Sequence, residues 1–285
     1  MFKYFRAGLF FFIIFSTTFS SAKESKSYFP FLAEEALNRG YVLPKPIGIN
    51  FIYVDMTQDV KVESLKLKGD IILSPFLKPI SLEKIITVTA KDTVSSIQNK
   101  IVKTDIWLFP FLNIYGLLGE TKGYSKTKID ISLNKPVITN ADFKLDYDGI
   151  TYGVGTTIVG GVGNIFVATD VNYTRTSLNI IDGNIDALII SPKLGYNFNF
   201  SSFKNSIWIG GMYQEISQTL KGNIADVINM PIPIRNGKFE IKEKAASPWN
   251  TVIGFRSEIN TNYEIMTEIG FGTKESIALA LGYRF

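Results

Sequence analysis

Six charged residues in the second half of the chain stand singly among apolar neighbours: Asp170, Lys193, Arg256, Glu264, Glu268 and Arg284. A lone carboxylate can brace a cation, bind one, or move a proton. The last role near neutral pH usually falls to histidine, and a carboxylate takes it only with a strongly raised pKa. The chain has no His and no Cys. The common zinc, copper, haem and iron–sulfur ligand sets therefore cannot be assembled. A serine or a water has no ordinary base beside it, and Glu264 or Glu268 would have to substitute. No catalytic residue, metal ligand or cofactor is expected. Asp142, Asp146 and Asp148 before Gly149 form a fragment of a calcium loop, but the further oxygens and the closing Glu are absent at the required spacing. A solvated acidic loop is the better reading. Gly153, Gly155, Gly160, Gly161 and Gly163 are not a phosphate loop, because Thr156 to Val159 continues a strand and no helix follows. Inward glycines instead leave room for bulkier neighbours.

The elements that position these charges are most legible in the last hairpin. Ile277, Leu279, Leu281, Tyr283 and Phe285 alternate with Ala278, Ala280, Gly282 and Arg284. Tyr263, Ile265, Thr267, Ile269 and Phe271 likewise alternate with Glu264, Met266, Glu268 and Gly270. A period of two is a strand whose faces meet different surroundings. One face here is apolar and bounded by aromatics, the other small or charged, as on a membrane-spanning barrel wall. If the turns at 177–186, 257–263 and 272–276 pair symmetrically, Asp170 lies across from Lys193, Arg256 from Glu264, and Glu264 from Arg284. Opposite charges directly across strands contribute about 0.2–1 kcal/mol each, whereas an Arg on the lipid side near mid-bilayer costs about 2–4 kcal/mol. These five are accordingly assigned to the lumen, as pairs that brace the wall, and Glu268 shares their face.

The strand that ends on Phe285 behind 277, 279, 281 and 283 resembles the C-terminal signal of bacterial outer-membrane β-barrels. In that group the barrel-assembly machinery reads a terminal aromatic. The resemblance implies an outer-membrane location, contact with outer-membrane lipids, and assembly by that machinery. The enzymes of the group use a histidine base, which is missing here. The N-terminus fits an exported chain: Lys3 and Arg6, the apolar run Leu9 to Phe15, and a Ser20-Ser21-Ala22 cleavage site suggest a signal peptide over 1–22. That run is far short of the ~20 residues a membrane helix needs. Removing it takes two cations, leaving 28 against 26 charges, or +2, which suggests no nucleic-acid partner.

The sequence thus predicts an all-β protein, a single antiparallel transmembrane β-barrel over 47–285. A segment over 23–46 precedes it in the periplasm and carries a short helix near 31–39. Strands are expected at 47–56, once within 60–100, at 104–119 (with Pro110 as a bulge or edge), 151–160, 164–176, 186–200, 206–220, 248–257, 262–272 and 276–285. The count is ten, with twelve as the alternative, since such strands come in even numbers. Residues 120–150 and 221–247 become large external loops, and the acidic loop places weak cation binding near outer-leaflet phosphates as a lesser possibility. The short 273–275 connection fits badly among the external ones. The role expected is structural, binding or surface interaction, with a narrow pore for small solutes second and a lipid-modifying enzyme without histidine third.

Overall fold

The computed structural model describes residues 29–72, 76, 78–133, 135–179, 182–226 and 234–285. The expected signal peptide and the start of the segment after it lie outside the described residues. A helix α1, Ala33–Asn38, precedes twelve strands: β1 Ile47–Ile71, β2 Ile80–Ser81, β3 Thr87–Phe109, β4 Leu112–Leu133, β5 Lys135–Val162 and β6 Ile165–Leu178. The chain continues through β7 Asp182–Phe200, β8 Phe203–Asn223, β9 Ile234–Ala245, β10 Trp249–Glu258, β11 Tyr263–Phe271 and β12 Lys274–Arg284.

All pairings are antiparallel and the sheet closes on itself, β12 returning to β1. Closure satisfies backbone groups that lipid cannot. From Asn50, partners run through Gly282, Glu264 and Glu258 to Lys204 in one direction. In the other they run through Lys103, Leu117, Gly153, Thr174 and Ala187 to Ile216. The two arrivals on β8 differ by 216 − 204, a stagger of 12 residues. Strands staggered this way tilt about 35–45° from the barrel axis.

The ring changes size along its axis. At the end that holds Ile47 and Phe285, ten strands close it: β1, β3 to β8, and β10 to β12. Further along, β8 exchanges β10 for β9, and β1 exchanges β12 for the same strand. Eight strands remain there. The β11–β12 hairpin is short because β9 lies above it, which accounts for the connection that fitted badly. The step is sealed by Lys274, 1% exposed, whose Nζ donates to the carbonyls of Ser247 (2.8 Å) and Pro248 (3.2 Å). Asn250 exchanges hydrogen bonds with the Lys274 backbone beside it.

Three expectations are corrected. Residues 120–150 are no loop: β4 and β5 stay paired from Glu120↔Ile150 to Leu133↔Lys135. Residues 221–247 hold the end of β8 and all of β9. In both stretches buried Ile129, Phe143, Leu145, Phe239 and Ile241 alternate with charged residues, so strands were the means of burying them. Thr104 to Gly119 is two strand ends rather than one strand. The chain reverses at Pro110-Phe111, where a residue without an N–H costs no ladder bond.

Around the ten-strand portion, Phe51, Leu118, Val154, Ile158, Leu194, Ile209, Ile265 and Leu281 face outward and exposed. Aromatics rim this belt, with Tyr196, Tyr263, Tyr283 and Phe285 at one edge and Tyr173, Trp249 and Phe271 at the other. Such a belt is built for lipid. Around the eight-strand portion the outward residues are instead charged and exposed, among them Lys61, Glu63, Lys122, Lys126, Lys144, Lys242 and Lys244. Such a wall suits water rather than lipid. The segment before β1 docks on the opposite rim: Phe31 N–H donates to Leu108 O (2.8 Å), and Trp107 N–H to Pro46 O (2.8 Å).

Candidate functional site

Two interiors follow from the two ring sizes. In the eight-strand portion the inward side chains meet across the bore. Ile129, Leu220 and Ile241 are 0% exposed and Phe143 1%. Phe143 lies edge-on to Phe239 at 5.7 Å between ring centroids. This is a dry apolar plug. Burial pushes the hydroxyl of Tyr147, at its base, up to about 12.

One carboxylate is trapped in the plug. Glu243 on β9 is 2% exposed; Ser125 Oγ donates to one of its oxygens at 2.9 Å, and Gln218 Nε2 donates to the other. Burial raises its pKa above the ordinary carboxylate value, against the opposing effect of those two hydrogen bonds. A group with a raised folded pKa contributes stability that is complete below its unfolded value, near 4.5, and is lost as pH rises through the folded value. Urea midpoints should therefore fall as pH is raised from 4 to 8, and Glu243→Gln should flatten that slope. An unchanged slope in the variant would show that Glu243 does not titrate in this range.

In the ten-strand portion the ring is wider and encloses a chamber of about 500 Å³. All six lumen charges named from the sequence line it or its mouth, but none pairs directly across as the symmetric turns required. Asp170 faces Ser191, and Lys193 faces Ala168. Arg256 faces Met266, and Glu264 faces Gly282. Each register is shifted by two residues. Between β6 and β7 the strands extend further, pairing Thr176 with Ile185, which lets Ile185 enter the core. Between β10 and β11 the backbone N–H groups of Asn262 and Tyr263 both donate to Asn260 Oδ1 and tighten the turn. Between β11 and β12, Gly272 at φ +117° lets the chain reverse sooner. A shift of two keeps every side chain on its face, where a shift of one would invert it.

Diagonal reach then restores some of the pairs and replaces others. Arg256 Nε donates to Glu264 Oε2 at 2.8 Å, and its Nη2 also meets Glu258 at 2.9 Å. Arg284 stands 3.8 Å from Glu264 but grips Asp105 at 2.7 Å. Asp105 also accepts from Asn50 Nδ2 (3.1 Å) and Asn113 Nδ2 (2.8 Å). Arg284 Nε donates to Lys45 O at 2.9 Å, tying this row to the segment on the rim. Lys193 leaves Asp170 and pairs with Glu268 at 2.6 Å, three strands away. Asp170 is held by neutral donors: Tyr115 Oη at 2.8 Å, Thr157 Oγ1 at 2.7 Å and Asn172 Nδ2 at 3.1 Å. Ile277, Leu279, Leu281 and Tyr283 on β12, and Phe285 just past its end, are all exposed on the outer face.

Sequence reasoning missed Lys103, Asp105, Tyr115, Trp208 and Glu258. A signal was present for two of them. Inward aromatics sit directly across from inward glycines: Tyr115 from Gly155, and Trp208 from Gly254. A Cβ at Gly155 would lie 2.4 Å from the Tyr115 ring, and one at Gly254 2.2 Å from the indole. Each ring lies flat over its glycine and reaches a carboxylate one strand further on. Tyr115 meets Asp170 in this way, and Trp208 Nε1 donates to Glu268 Oε2 at 2.7 Å. Asp142, Asp146 and Asp148, by contrast, lie on the wall of β5 outside the bore. Asp146 is paired with Lys144 (2.7 Å), and Asp148 accepts from Asn179.

No family model and no curated protein sequence matches the chain. Among solved structures it is similar to the outer membrane protein OprG from Pseudomonas aeruginosa, at 10% identity and a TM-score of 0.41, covering 85% of this chain and 98% of that one. It is similar also to the translocator domain of the autotransporter NalP from Neisseria meningitidis, at 10% identity and TM-score 0.36, covering 88% and 93%. A third is the Pseudomonas putida toluene transporter TodX, at 9% identity and TM-score 0.33, covering 84% and 88%.

Proposed function

We propose that the protein is an outer-membrane barrel that conducts nothing in its resting state and carries a rigid strand-built projection above the outer leaflet for surface interaction. The observation that carries this reading is the plug. Phe143, Ile129, Leu220 and Ile241 fill the bore beyond the lipid belt and exclude water from it. The exposed wall around them alternates Lys with Glu and Asp, a surface suited to polar partners rather than to lipid. In this reading outer-membrane lipids contact the apolar belt, the assembly machinery reads Phe285, and the lumen ion pairs brace the wider ring. A narrow pore is the second reading, favoured by the polar chamber at membrane level. Glu264 and Glu268, the two carboxylates weighed as bases, are both held by cations, which supports a bracing role for them.

Planar-bilayer recording on the heat-modifiable protein taken from outer-membrane fractions separates the two. A silent bilayer is the expected result. A steady open current from the unaltered protein would overturn the closed reading in favour of the pore.

A further inference from the structure

The chamber at membrane level is lined by four carboxylates and four cations, of which, among the described residues, only Asp170 and Lys103 stand outside a direct ion pair. Asp105 is matched by Arg284, Glu264 by Arg256, and Glu268 by Lys193. Asp170 spends its oxygens on two hydroxyls and an amide. Lys103 lines the same chamber, yet among the described residues its ammonium has no carboxylate within 4 Å and no hydrogen bond. It rests 4.2 Å from the centroid of the Tyr115 ring. Tyr115 thus engages both neighbours, its hydroxyl on Asp170 and its face under the ammonium. A ring face offsets part of the cost of confining a cation, but uses none of its three N–H donors.

We propose that this chamber binds a small organic monocarboxylate with an apolar body, its carboxylate on Lys103. The sign of the ligand follows from the bookkeeping of donors. Asp170, the carboxylate without a paired cation, already accepts from three neutral donors, so the open hydrogen-bonding capacity lies on the cation. The ammonium offers three free donors, and a carboxylate makes the strongest bonds with such a group. Asp170 stands on the same Tyr115 ring as Lys103, which leaves room for one negative charge on the guest and none for a second. The body is apolar because Ile52, Ile101, Met212, Ala278 and Ala280 line the chamber too. A second charge or a sugar-like body would lose its water against them without replacement. The volume falls in the ~300–1,000 Å³ range of small-molecule sites.

Titration calorimetry on the purified barrel tests this with hexanoate, octanoate and benzoate, all below any micellar concentration, and with the matching neutral amides. At least one acid should bind, its amide at least tenfold more weakly. Lys103→Met keeps the side-chain length and removes the charge, and should weaken the acid at least tenfold while the protein stays heat-modifiable. Binding of the acid should also perturb the fluorescence of Trp208, which lines the chamber. The proposal is overturned if no acid binds the unaltered protein, if acid and amide bind alike, or if Lys103→Met binds the acid undiminished. Should Lys103→Met fail to assemble, the acid–amide comparison on the unaltered barrel decides alone.

Discussion

Arg284→Met is expected to lower the stability of the folded barrel by about 3–5 kcal/mol, the loss typical of breaking a buried ion pair from one side. The side chains of Arg284 and Asp105 are 9% and 2% exposed, the most buried ion pair among the described residues. Removing the guanidinium leaves Asp105 with Asn50 and Asn113 but no cation. It also cuts the tie from the wall to Lys45 on the rim. Arg256→Met should cost clearly less, because the Arg256 side chain is 30% exposed and its loss leaves Glu264 near Arg284. Glu264→Gln should be milder than its place between two arginines suggests, since Arg256 keeps Glu258 and Arg284 keeps Asp105. Adding Asp105→Leu to Arg284→Met should recover most of the loss, as replacing both partners with apolar groups often does. Urea midpoints in liposomes for these variants check the order. If Arg284→Met costs no more than Arg256→Met, the Asp105 pair is not the anchor of the row.

The alternation of Ile277 to Phe285, like that of Tyr263 to Phe271, was sufficient to show a closed wall with an apolar outer face, because lipid on one side enforces a strict period of two. Arg256, Glu264 and Arg284 line the chamber although their register was misjudged, since the parity of each strand survives a register error of two. The register itself was not legible. It depends on Asn260 accepting two backbone N–H groups and on the conformation of Gly272, details of turns rather than of strands. The eight-strand portion was misread for a different reason. Its wall faces water, so charged residues such as Lys126, Lys128 and Lys144 alternate with Ile129, Phe143 and Leu145, and the stretch is polar enough overall to pass for a loop. Asp105 and Lys103 were hidden because the end of β3 and the start of β4 read together as one strand over 104–119. That β9 would close the ring above a short hairpin was not accessible from local pattern, because the pairing joins residues 60–71 to 234–245.

The plug should fail separately from the membrane portion. Phe143→Ala is expected to cost about 3–5 kcal/mol, as for other buried aromatics cut back to Ala. The side chain is 1% exposed and reaches from β5 across the bore to Phe239 on β9. Besides this contact β9 is held by its ladder to β8 from Ser217↔Lys244 to Asn223↔Lys238, by a ladder to β1 broken by two register shifts, at Val62/Ser64 and Lys68/Asp70, and by Glu243 on Ser125 and Gln218. Its outward residues, Lys238, Lys242 and Lys244, are charged and exposed. The ten strands below close their own ring through β10, β11 and β12 and do not need β9 for their hydrogen bonds. Trypsin should therefore cut the Phe143→Ala protein first near the exposed Lys238, Lys242 and Lys244, while the membrane portion keeps its heat-modifiable mobility. Phe239→Ala should act alike, and the double variant should lose less than the sum, because the edge-on pair contributes about 0.5–1.5 kcal/mol beyond burial. If trypsin sensitivity at β9 is unchanged, the plug does not hold that strand. If instead the whole barrel loses its heat-modifiable form together with β9, the two portions fold as one unit and the division argued from the ring sizes is wrong.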